Sequence, residues 1–315
     1  MVIDVDSIKP LQTTAGQYHG RFAPSPSGPL HAGSLVTALA SCLEAKTHQG
    51  LWSIRIDDLD PQRSSMSCAD QQLRLLDQLG FEWDSLSYQS QHDSRYDKVL
   101  TQLYREDLAY ACECSRKAIH SRCDSGILGP VYDGYCRLRG LPTDDECYAA
   151  RLRLDEPTLV TVRDAIQGDF SLELTSAVGD YLIKRSDAVF SYHLACVVDD
   201  YYQGITHVVR GYDLLSLTPI HIHLQQTLKL PTPHYAHVPL VLTASKQKLS
   251  KSQHARALTA THAVQLLWYG LDFLGQKPPK MLLDATIAEV WSWAKAHWNG
   301  EHIPKNKGII CPWLV

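Results

Sequence analysis

The residues best suited to chemistry begin in a short stretch rich in glycine and proline, GRFAPSPSGPLHAGSLVTAL (20–39). It holds three prolines, three glycines and His31, and a segment with helical spacing follows at once. A loop that leaves the first strand of a parallel sheet and enters a helix is a common nucleotide site, because unpaired N–H groups attract phosphate there. The spacing matches neither G-x-x-x-x-G-K-[ST] nor G-x-G-x-x-G. We therefore predict a different phosphate loop, with His31 as a hydrogen-bond donor. A proline-stiffened loop with a capping histidine is the alternative.

Cysteines form a second group of candidate ligands. Cys112, Cys114, Cys123 and Cys136 lie in an irregular region rich in glycine and arginine, and His120 lies among them. Two thiolates followed by a third ligand after a loop can fold a small insertion that lacks a hydrophobic core. We therefore predict a structural zinc ion, with free thiols as the alternative. Ligand chemistry alone favours Cys123 or His120 as the fourth ligand, because neutral tyrosine is a poor one.

The elements that must position these residues alternate between strands and helices. The segment YHGRFAPS predicts a strand that ends at Pro24, since proline cannot donate to a strand ladder. Apolar residues at helical spacing follow from Gly33 to about His48, and alternation in LWSIRIDDLD (51–60) predicts a second strand. Strand, helix and strand form a βαβ unit, so the predicted fold class is α/β with a parallel sheet.

Later segments predict a hairpin and a helical end. RLRLDEPTLVTVRDAIQGDFSLEL (151–174) predicts antiparallel strands around a turn. Two amphipathic helices are predicted near 263–274 and 284–297.

Length and composition argue against a membrane-spanning or secreted protein. The chain has 315 residues, of which 44% are hydrophobic and 20% charged, and a net charge of −4. These values describe an ordinary globular protein. No apolar run approaches the roughly 20 residues that cross a bilayer, and the N-terminal segment lacks the basic and apolar regions of a signal peptide. We expect a cytoplasmic protein with no membrane partner.

Two motifs carry a family resemblance. PSPSGPLHAGS (24–34) resembles the HIGH signature of class I aminoacyl-tRNA synthetases, in the P-S-P-[ST]-G-x-L-H-x-G form of their glutamyl and glutaminyl branch. KLSKS (248–252) resembles the KMSKS loop of the same class, with Leu249 in place of methionine, and the two motifs occur in the class I order. The resemblance runs from about Tyr18 to Gly275. It implies a Rossmann-like catalytic domain with a parallel sheet, a zinc-binding insertion and a short C-terminal helical part.

We predict five parts along the chain. They are an N-terminal tail (1–17), the first half of the nucleotide-binding domain (18–109), a zinc-containing, acceptor-like insertion (110–180), the second half of the nucleotide-binding domain with KLSKS (181–258) and a C-terminal helical part (259–315).

Motif by motif, the resemblance implies which residues form the site. Glutamate would be bound by Arg21, Phe22, Ala23, Pro24, Ser25, Asp57, Tyr192 and Arg210. A structural arginine paired with Asp213 is the alternative for Arg210. ATP with Mg²⁺ would be bound by His31, Gly33, Ser34, Ser250 and Lys251, of which His31 and Lys251 are the catalytic residues. Two arginines favour the carboxylate of glutamate over the amide of glutamine. The family has R-I-E-D where this chain has R-I-D-D, so the carboxylate of Asp57, which would meet the substrate ammonium, is one methylene shorter.

The same resemblance changes the predicted fourth ligand of the zinc ion. C-x-C followed by Y-x-x-x-C resembles a zinc site of the glutamyl branch, whose fourth ligand is a tyrosine. The implied ligands are therefore Cys112, Cys114, Tyr132 and Cys136, with Cys123 in reserve.

The C-terminal part narrows the expected function. Only 63 residues follow Ser252 in a chain of 315, whereas glutamyl-tRNA synthetases continue into a large anticodon-binding region. The chain therefore resembles the shortened paralogues of those enzymes, which activate glutamate without tRNA and transfer it to a hydroxyl of queuosine, the modified wobble base of tRNA(Asp). We expect a monomer that acts on ATP, L-glutamate and tRNA(Asp) containing queuosine. A truncated conventional glutamyl-tRNA synthetase and a non-catalytic tRNA-binding paralogue are the alternatives.

Overall fold

The computed structural model describes residues 16–145, 147–245 and 258–311. Its strands are β1 His19–Phe22, β2 Leu51–Ile56, β3 Ser85–Tyr88, β4 Ala109–Cys112, β5 Ser125–Gly126, β6 Gly129–Pro130, β7 Ala149–Leu152, β8 Leu159–Asp164, β9 Gly168–Glu173, β10 Leu182–Lys184, β11 His207–Gly211, β12 His234–Val238, β13 Leu240–Leu242 and β14 Gly308–Ile310. Its α-helices are α1 Ala32–Thr47, α2 Met66–Gln78, α3 Asp93–Arg105, α4 Arg116–Arg122, α5 Leu174–Ala177, α6 Tyr192–Tyr202, α7 Thr218–Thr227, α8 Ala263–Phe273 and α9 Ile287–His297. Within these ranges, no helix has the length and apolar character needed to cross a membrane.

A seven-stranded sheet forms the centre of the fold, in the order β3-β2-β1-β11-β12-β8-β9. Neighbouring strands are parallel, except that β8 and β9 form the predicted antiparallel hairpin. The strand order reverses between β1 and β11, because the chain builds the sheet outward from β1 first on one side and later on the other. In such sheets, ligands bind at the carboxyl ends of the strands beside this reversal. The predicted α/β class and the βαβ unit are confirmed.

Helix α1 is buried on nearly every side. It packs on β1, β2 and β11 of the sheet and also on α8 and α9. Leu35, Leu39 and Leu43 are each no more than 1% exposed. At Gly270, α8 approaches so closely that a Cβ atom would lie 2.4 Å from Leu39 Cδ1. A helix that is covered all round is apolar all round, and this packing fixes the position of its N-terminus against the sheet.

The predicted insertion, 110–180, contributes strands to three sheets, of which the smallest is the antiparallel pair of β5 and β6. β7 pairs with both β4 and β10 in a separate three-stranded sheet. β8 and β9 instead extend the main sheet, because β8 pairs with β12 at Asp164 and Tyr235. The boundary of the insertion therefore does not follow a single sheet, and the five-part division stays a prediction.

Both C-terminal helices are present as α8 and α9. Helix α9 begins later than predicted, because Lys280–Asp284 forms a 3₁₀ turn. Thr286 and Glu289 then form a capping box: Thr286 Oγ1 accepts a hydrogen bond from the Glu289 amide at 3.3 Å, and Glu289 Oε2 accepts one from the Thr286 amide at 2.7 Å. Side-chain caps of this kind decide where a helix begins.

Candidate active site

His31 is the N-cap residue of α1, at the end of the proline-rich loop. Its Nδ1 accepts a hydrogen bond from the Ser34 amide at 3.3 Å, and Ser34 Oγ accepts one from the His31 amide at 3.5 Å. Because Nδ1 is an acceptor, a neutral His31 ring carries its proton on Nε2. Capping and the predicted donor role are thus compatible, since one nitrogen caps the helix and the other can donate to a phosphate.

Gly33 makes room for this ring. A Cβ atom at Gly33 would lie 2.9 Å from His31 Cε1 and 3.1 Å from His31 Nδ1. Any side chain at this position would therefore displace the imidazole from the first turn of α1.

A cavity of about 330 Å³ opens at the carboxyl ends of β1 and β11. From separate parts of the chain, it gathers the predicted residues Arg21, Phe22, Ala23, Pro24, Ser25, His31, Gly33, Ser34, Tyr192 and Arg210. A second cavity of about 850 Å³ adjoins it and shares Ala23, Ser25 and Tyr192 with it. The predicted Asp57 lines this second cavity. The predicted Ser250 and Lys251 lie outside the described residues.

Next to the cavity, two buried arginines share one carboxylate. Arg21 donates from Nε to Asp200 Oδ1 at 3.1 Å and from Nη2 to Asp200 Oδ2 at 3.3 Å. Arg55 donates from Nη1 to Asp200 Oδ1 at 2.6 Å and from Nε to Asp57 Oδ1 at 2.8 Å. All four side chains are buried. Two positive and two negative charges thus compensate each other inside the protein, as buried charges require.

The pairing gives the two carboxylates different pKa values. Burial alone would raise the pKa of Asp200, but the Arg21 and Arg55 guanidinium groups lower it to about 2. Burial raises the pKa of Asp57 to about 6, because Arg55 offsets only part of the desolvation cost. Of the two carboxylates, Asp57 therefore gains more from an additional positive charge such as an ammonium ion. Its contact with a substrate ammonium stays a prediction.

Arg210, on β11, is held by uncharged groups. Its Nε donates to His237 Nε2 at 3.1 Å, and its Nη2 donates to Thr218 Oγ1 at 2.8 Å. Its Nη1 lies 3.1 Å from Tyr192 Oη and 3.3 Å from His221 Nδ1. Within the described ranges, no carboxylate forms an ion pair with Arg210. Its positive charge is therefore available to an anionic ligand in the cavity.

Three cysteine thiols meet a tyrosine hydroxyl at the end of β4. The Sγ atoms of Cys112, Cys114 and Cys136 lie within 4.8 Å of one another. Tyr132 Oη is 3.3 Å from Cys112 Sγ and 3.4 Å from Cys114 Sγ, and it accepts a hydrogen bond from the Cys136 amide at 3.1 Å. The structure thus brings together the four ligands that the family resemblance implies. Sulfur donors of this number suit a tetrahedral Zn²⁺ ion.

Two arginines lie beside this cysteine group. Arg151 donates to Cys112 Sγ at 3.3 Å, and Arg122 donates to Cys114 Sγ at 3.5 Å. Burial alone would raise the pKa of Cys114, but hydrogen bonds with Tyr132 and Arg122 lower it. Nearby cations favour the thiolate, which is the form that binds a metal.

The other proposed ligands are placed elsewhere. Among the described histidine, cysteine and acidic side chains, the group that could hold a metal ion contains neither Cys123 nor His120. Cys123 ends helix α4, as its C-cap residue. The ligand set favoured by ligand chemistry alone is therefore not the one that the structure assembles.

Sequence reasoning does not identify several residues that organise the site, namely Arg55, Asp200, His237 and Thr218. A signal for Asp200 exists, because two consecutive aspartates follow an apolar run in the segment that forms α6, and a buried carboxylate needs a partner. His237 and Thr218 offer no such signal. Their contacts with Arg210 join β12, α7 and β11, and local spacing carries no information about such contacts.

Comparison with known proteins identifies a family model that matches most of the chain. The model of the tRNA synthetases class I (E and Q), catalytic domain, matches residues 17–267. The chain is 45% identical over 293 residues to a glutamyl-Q tRNA(Asp) synthetase of Ectopseudomonas mendocina (strain ymp). The alignment covers 93% of this chain and 97% of that protein. It is 43% identical over 301 residues to a glutamyl-Q tRNA(Asp) synthetase of Dechloromonas aromatica (strain RCB), which covers 94% of this chain and 98% of that protein.

Solved structures agree on the fold. A glutamate tRNA ligase from Elizabethkingia meningosepticum CCUG26117 matches with a TM-score of 0.76 and 23% identity, over 94% of this chain and 67% of that chain. A glutamate-tRNA synthetase from Elizabethkingia anophelis matches with a TM-score of 0.75 and 24% identity, over 93% of this chain and 68% of that chain. The predicted class I catalytic fold is therefore confirmed.

The charge cluster predicts the effect of Asp200→Asn on stability. The variant keeps the size of the side chain but leaves Arg21 and Arg55 with one negative charge between them, so the free energy of unfolding should fall by about 3–5 kcal/mol at pH 7. Because the folded pKa of about 2 lies below the ordinary 3.8, the lost stabilisation is present above pH 3.8 and fades as the pH falls towards 2. Urea denaturation across this pH range measures it.

Glu82→Gln is the matched control. It removes an ion pair between exposed groups, in which Lys295 Nζ lies 3.6 Å from Glu82 Oε2. This control should change the free energy of unfolding by less than about 1 kcal/mol. Equal effects of the two variants would show that Asp200 is not needed to compensate the arginines.

Proposed function

Because this chain belongs to the class I tRNA synthetases of the E and Q type, we propose that it activates L-glutamate with ATP and transfers the glutamyl group to queuosine in tRNA(Asp). The observation that carries this proposal is the cavity of about 330 Å³, which is lined by residues from both the proline-rich loop and the distant Tyr192 and Arg210. The predicted phosphate-binding and carboxylate-binding groups therefore face one space, as a reaction between ATP and an amino acid requires.

Activation joins glutamate to the α-phosphate of ATP. A carboxylate oxygen of glutamate attacks the α-phosphorus, and the bond to the pyrophosphate leaving group breaks. Such phosphoryl chemistry needs positioning and charge neutralisation more than a protein nucleophile. His31 Nε2–H and the N-terminus of α1 would donate to the phosphates, and Lys251 would supply a positive charge. Mg²⁺ on the phosphates would neutralise further charge.

Glutamate would be recognised by charge at both ends. Arg210 has an uncompensated guanidinium group beside Tyr192, and the cavity is also lined by Arg21. A carboxylate side chain can neutralise this positive charge, whereas the amide of glutamine cannot. Asp57, whose pKa burial raises to about 6, would face the substrate ammonium from the adjoining cavity.

Transfer needs a second substrate next to the activated glutamate. A hydroxyl of the queuosine cyclopentenediol would attack the glutamyl carbonyl carbon, with release of AMP. The adjoining cavity of about 850 Å³ borders Asp57 and Tyr192, and Arg63, Tyr181 and Phe190 also line it. Aromatic and cationic side chains suit a base that is turned out of a single-stranded RNA loop.

The proposal that queuosine in tRNA(Asp) accepts the glutamyl group rests on the names of the relatives. Proteins that are 43% to 45% identical over nearly their whole length carry the name glutamyl-Q tRNA(Asp) synthetase. Charging of tRNA(Glu) at its 3′ end is the competing function, and the tRNA experiment below separates the two. The monomeric state stays a prediction from the sequence.

We propose further that one Zn²⁺ ion is held by Cys112, Cys114, Tyr132 and Cys136. The proximity of four ligand atoms and the two neighbouring arginines support this assignment. The ion would crosslink the insertion and would take no part in the reaction.

Gly33→Ala tests the phosphate loop. The new methyl group would displace the His31 ring, so glutamate-dependent ATP–pyrophosphate exchange should fall by roughly 10²-fold, as expected for a catalytic group moved by about 1 Å. The thermal midpoint should change little, because the better helix propensity of alanine offsets the loss of the His31 cap. A fully active Gly33→Ala variant would contradict the proposed position of His31.

Metal analysis tests the zinc site. The purified chain should contain close to one zinc ion, and a Cys112→Ser/Cys114→Ser variant should lose it, because serine does not supply a thiolate. Cys123→Ser is the matched control and should keep the zinc. A fully active chain that purifies without metal would show that these cysteines are ordinary thiols.

Transfer of [¹⁴C]glutamate tests the acceptor. Label should pass to tRNA(Asp) that contains queuosine and not to the same tRNA with guanosine at that position, because only queuosine carries the cyclopentenediol. Removal of the 3′-terminal adenosine should leave the transfer intact. If that truncation abolishes the transfer, or if tRNA(Glu) is labelled equally well, the conventional synthetase function is correct.

A further inference from the structure

Two buried ionisable side chains lie behind Arg210, away from the described lining of the cavities. They are Asp164, at the end of β8, and His237, on β12, which are 5% and 0% exposed. We propose that Asp164 and His237 are positioning residues, which hold the Arg210 guanidinium towards the cavity with its positive charge uncompensated and thereby set the affinity for the carboxylate substrate. The inference rests on the proposed function.

Asp164 is fixed as an acceptor. Its Oδ1 accepts hydrogen bonds from the backbone amides of Ile166 at 3.1 Å, Gln167 at 2.8 Å and His237 at 3.2 Å. Its Oδ2 lies 2.5 Å from His237 Nδ1. Burial alone would raise the pKa of Asp164, but the hydrogen bonds from His237 and the neighbouring amides lower it. Asp164 is therefore ionised, and Nδ1 of His237 is the nitrogen that carries the proton.

The tautomer of His237 decides how Arg210 is held. With its proton on Nδ1, the ring directs an unprotonated Nε2 at the Arg210 Nε–H group, 3.1 Å away. Thr218 Oγ1 accepts from Arg210 Nη2 at 2.8 Å on the same side. The remaining nitrogen, Nη1, lies beside Tyr192 Oη, and Tyr192 lines both cavities. One edge of the guanidinium is thus anchored, and the other edge lies against Tyr192 and His221 where Arg210 lines the first cavity.

The imidazole also separates two charges. If Asp164 contacted Arg210 directly, the pair would be neutral, as Arg21 and Asp200 are. His237 stands between them, and burial and Arg210 together lower its pKa to about 4, so it is neutral near pH 7. Arg210 is therefore oriented by an anion without forming an ion pair with it. A carboxylate ligand meets a full positive charge that is already in place, which favours binding.

A purely structural role makes a different prediction. Asp164 and His237 also join β8 to β12, and their hydrogen bond could serve only to hold these strands together. The two roles depend on opposite sides of the ring. Anchoring the strands requires the Nδ1 side, which faces Asp164, whereas positioning Arg210 requires the Nε2 side, which contacts Arg210 and also Thr218.

Two substitutions at His237 separate these sides. In His237→Asn, the amide NH₂ replaces Nδ1–H and can still donate to Asp164, but the shorter side chain has no acceptor that reaches Arg210 Nε–H. In His237→Gln, the amide oxygen takes the place of Nε2 and can accept from Arg210, but the donor to Asp164 is lost. Glutamate-dependent ATP–pyrophosphate exchange gives the KM for glutamate and the KM for ATP, and thermal unfolding gives the stability of each variant.

Positioning predicts a selective change in glutamate binding. The KM for glutamate should rise roughly tenfold in His237→Asn, as for loss of a hydrogen bond to a charged group, and less in His237→Gln, while the KM for ATP stays within about twofold in both. Asp164→Asn should also raise the KM for glutamate, because the amide can donate to Nδ1 and move the ring proton to Nε2, where it opposes Arg210 Nε–H. His19→Gln is the control, since His19 is a buried histidine on β1 whose Nε2 bonds Ser53 Oγ at 2.7 Å. It should leave both KM values unchanged.

Three results would overturn the inference. They are equal changes in both KM values, a larger rise in the KM for glutamate in His237→Gln than in His237→Asn, and unchanged KM values in all three variants at His237 and Asp164. The proposed function fails in a different experiment, because the unmodified chain would then show no glutamate-dependent exchange, and the inference would fail with it.

Discussion

The site depends on one buried carboxylate that two arginines share. Asp200 lies on α6, while Arg21 and Arg55 lie on β1 and β2, so the contacts tie a helix to two adjacent strands of the sheet. A guanidinium ion taken out of water costs several kcal/mol unless an opposite charge stands beside it. Asp200 pairs with both arginines, and Asp57 gives Arg55 a second negative charge. Because Arg21 comes directly before the loop that leads to His31, the same pairing also fixes where that loop begins.

The two arginines that line the first cavity differ in how their charge is compensated. Arg21 contacts Asp200 directly, and the pair contributes little net charge to the cavity. Arg210 contacts the neutral groups of His237, Thr218 and Tyr192. A site with two uncompensated buried cations would be expensive to fold, and a site with none would not attract a carboxylate. The structure combines one arginine whose charge is compensated by a carboxylate with one whose charge is not compensated.

The cysteine group solves a different problem in the insertion. Around it, the described hydrophobic cluster contains only five buried residues, Tyr110, Cys112, Tyr132, Cys136 and Ala149. So small a core buries little apolar area and contributes little to stability. A metal ion held by four side chains would compensate, because the free energy of metal binding then adds to the free energy of folding. The proposed zinc ion would account for the proximity of Tyr132 to the thiols, which ordinary core packing would not require.

Much of the site could be predicted from the sequence, because its motifs are local. The proline-rich loop, the helix expected from Gly33 and the C-x-C pair follow from spacing and backbone preference over a few residues, and the structure contains all three, with the helix beginning at Ala32. The strand contacts that bring Asp164 and His237 to Arg210 could not be predicted in this way. Asp164 meets His237 only because β8 pairs with β12, and His237 meets Arg210 only because β12 pairs with β11. The sequence by itself determined which residues are candidates for binding phosphate, carboxylate and metal. Only the tertiary structure decided which of the two arginines pairs with a carboxylate, since that depends on partners brought together from distant parts of the chain.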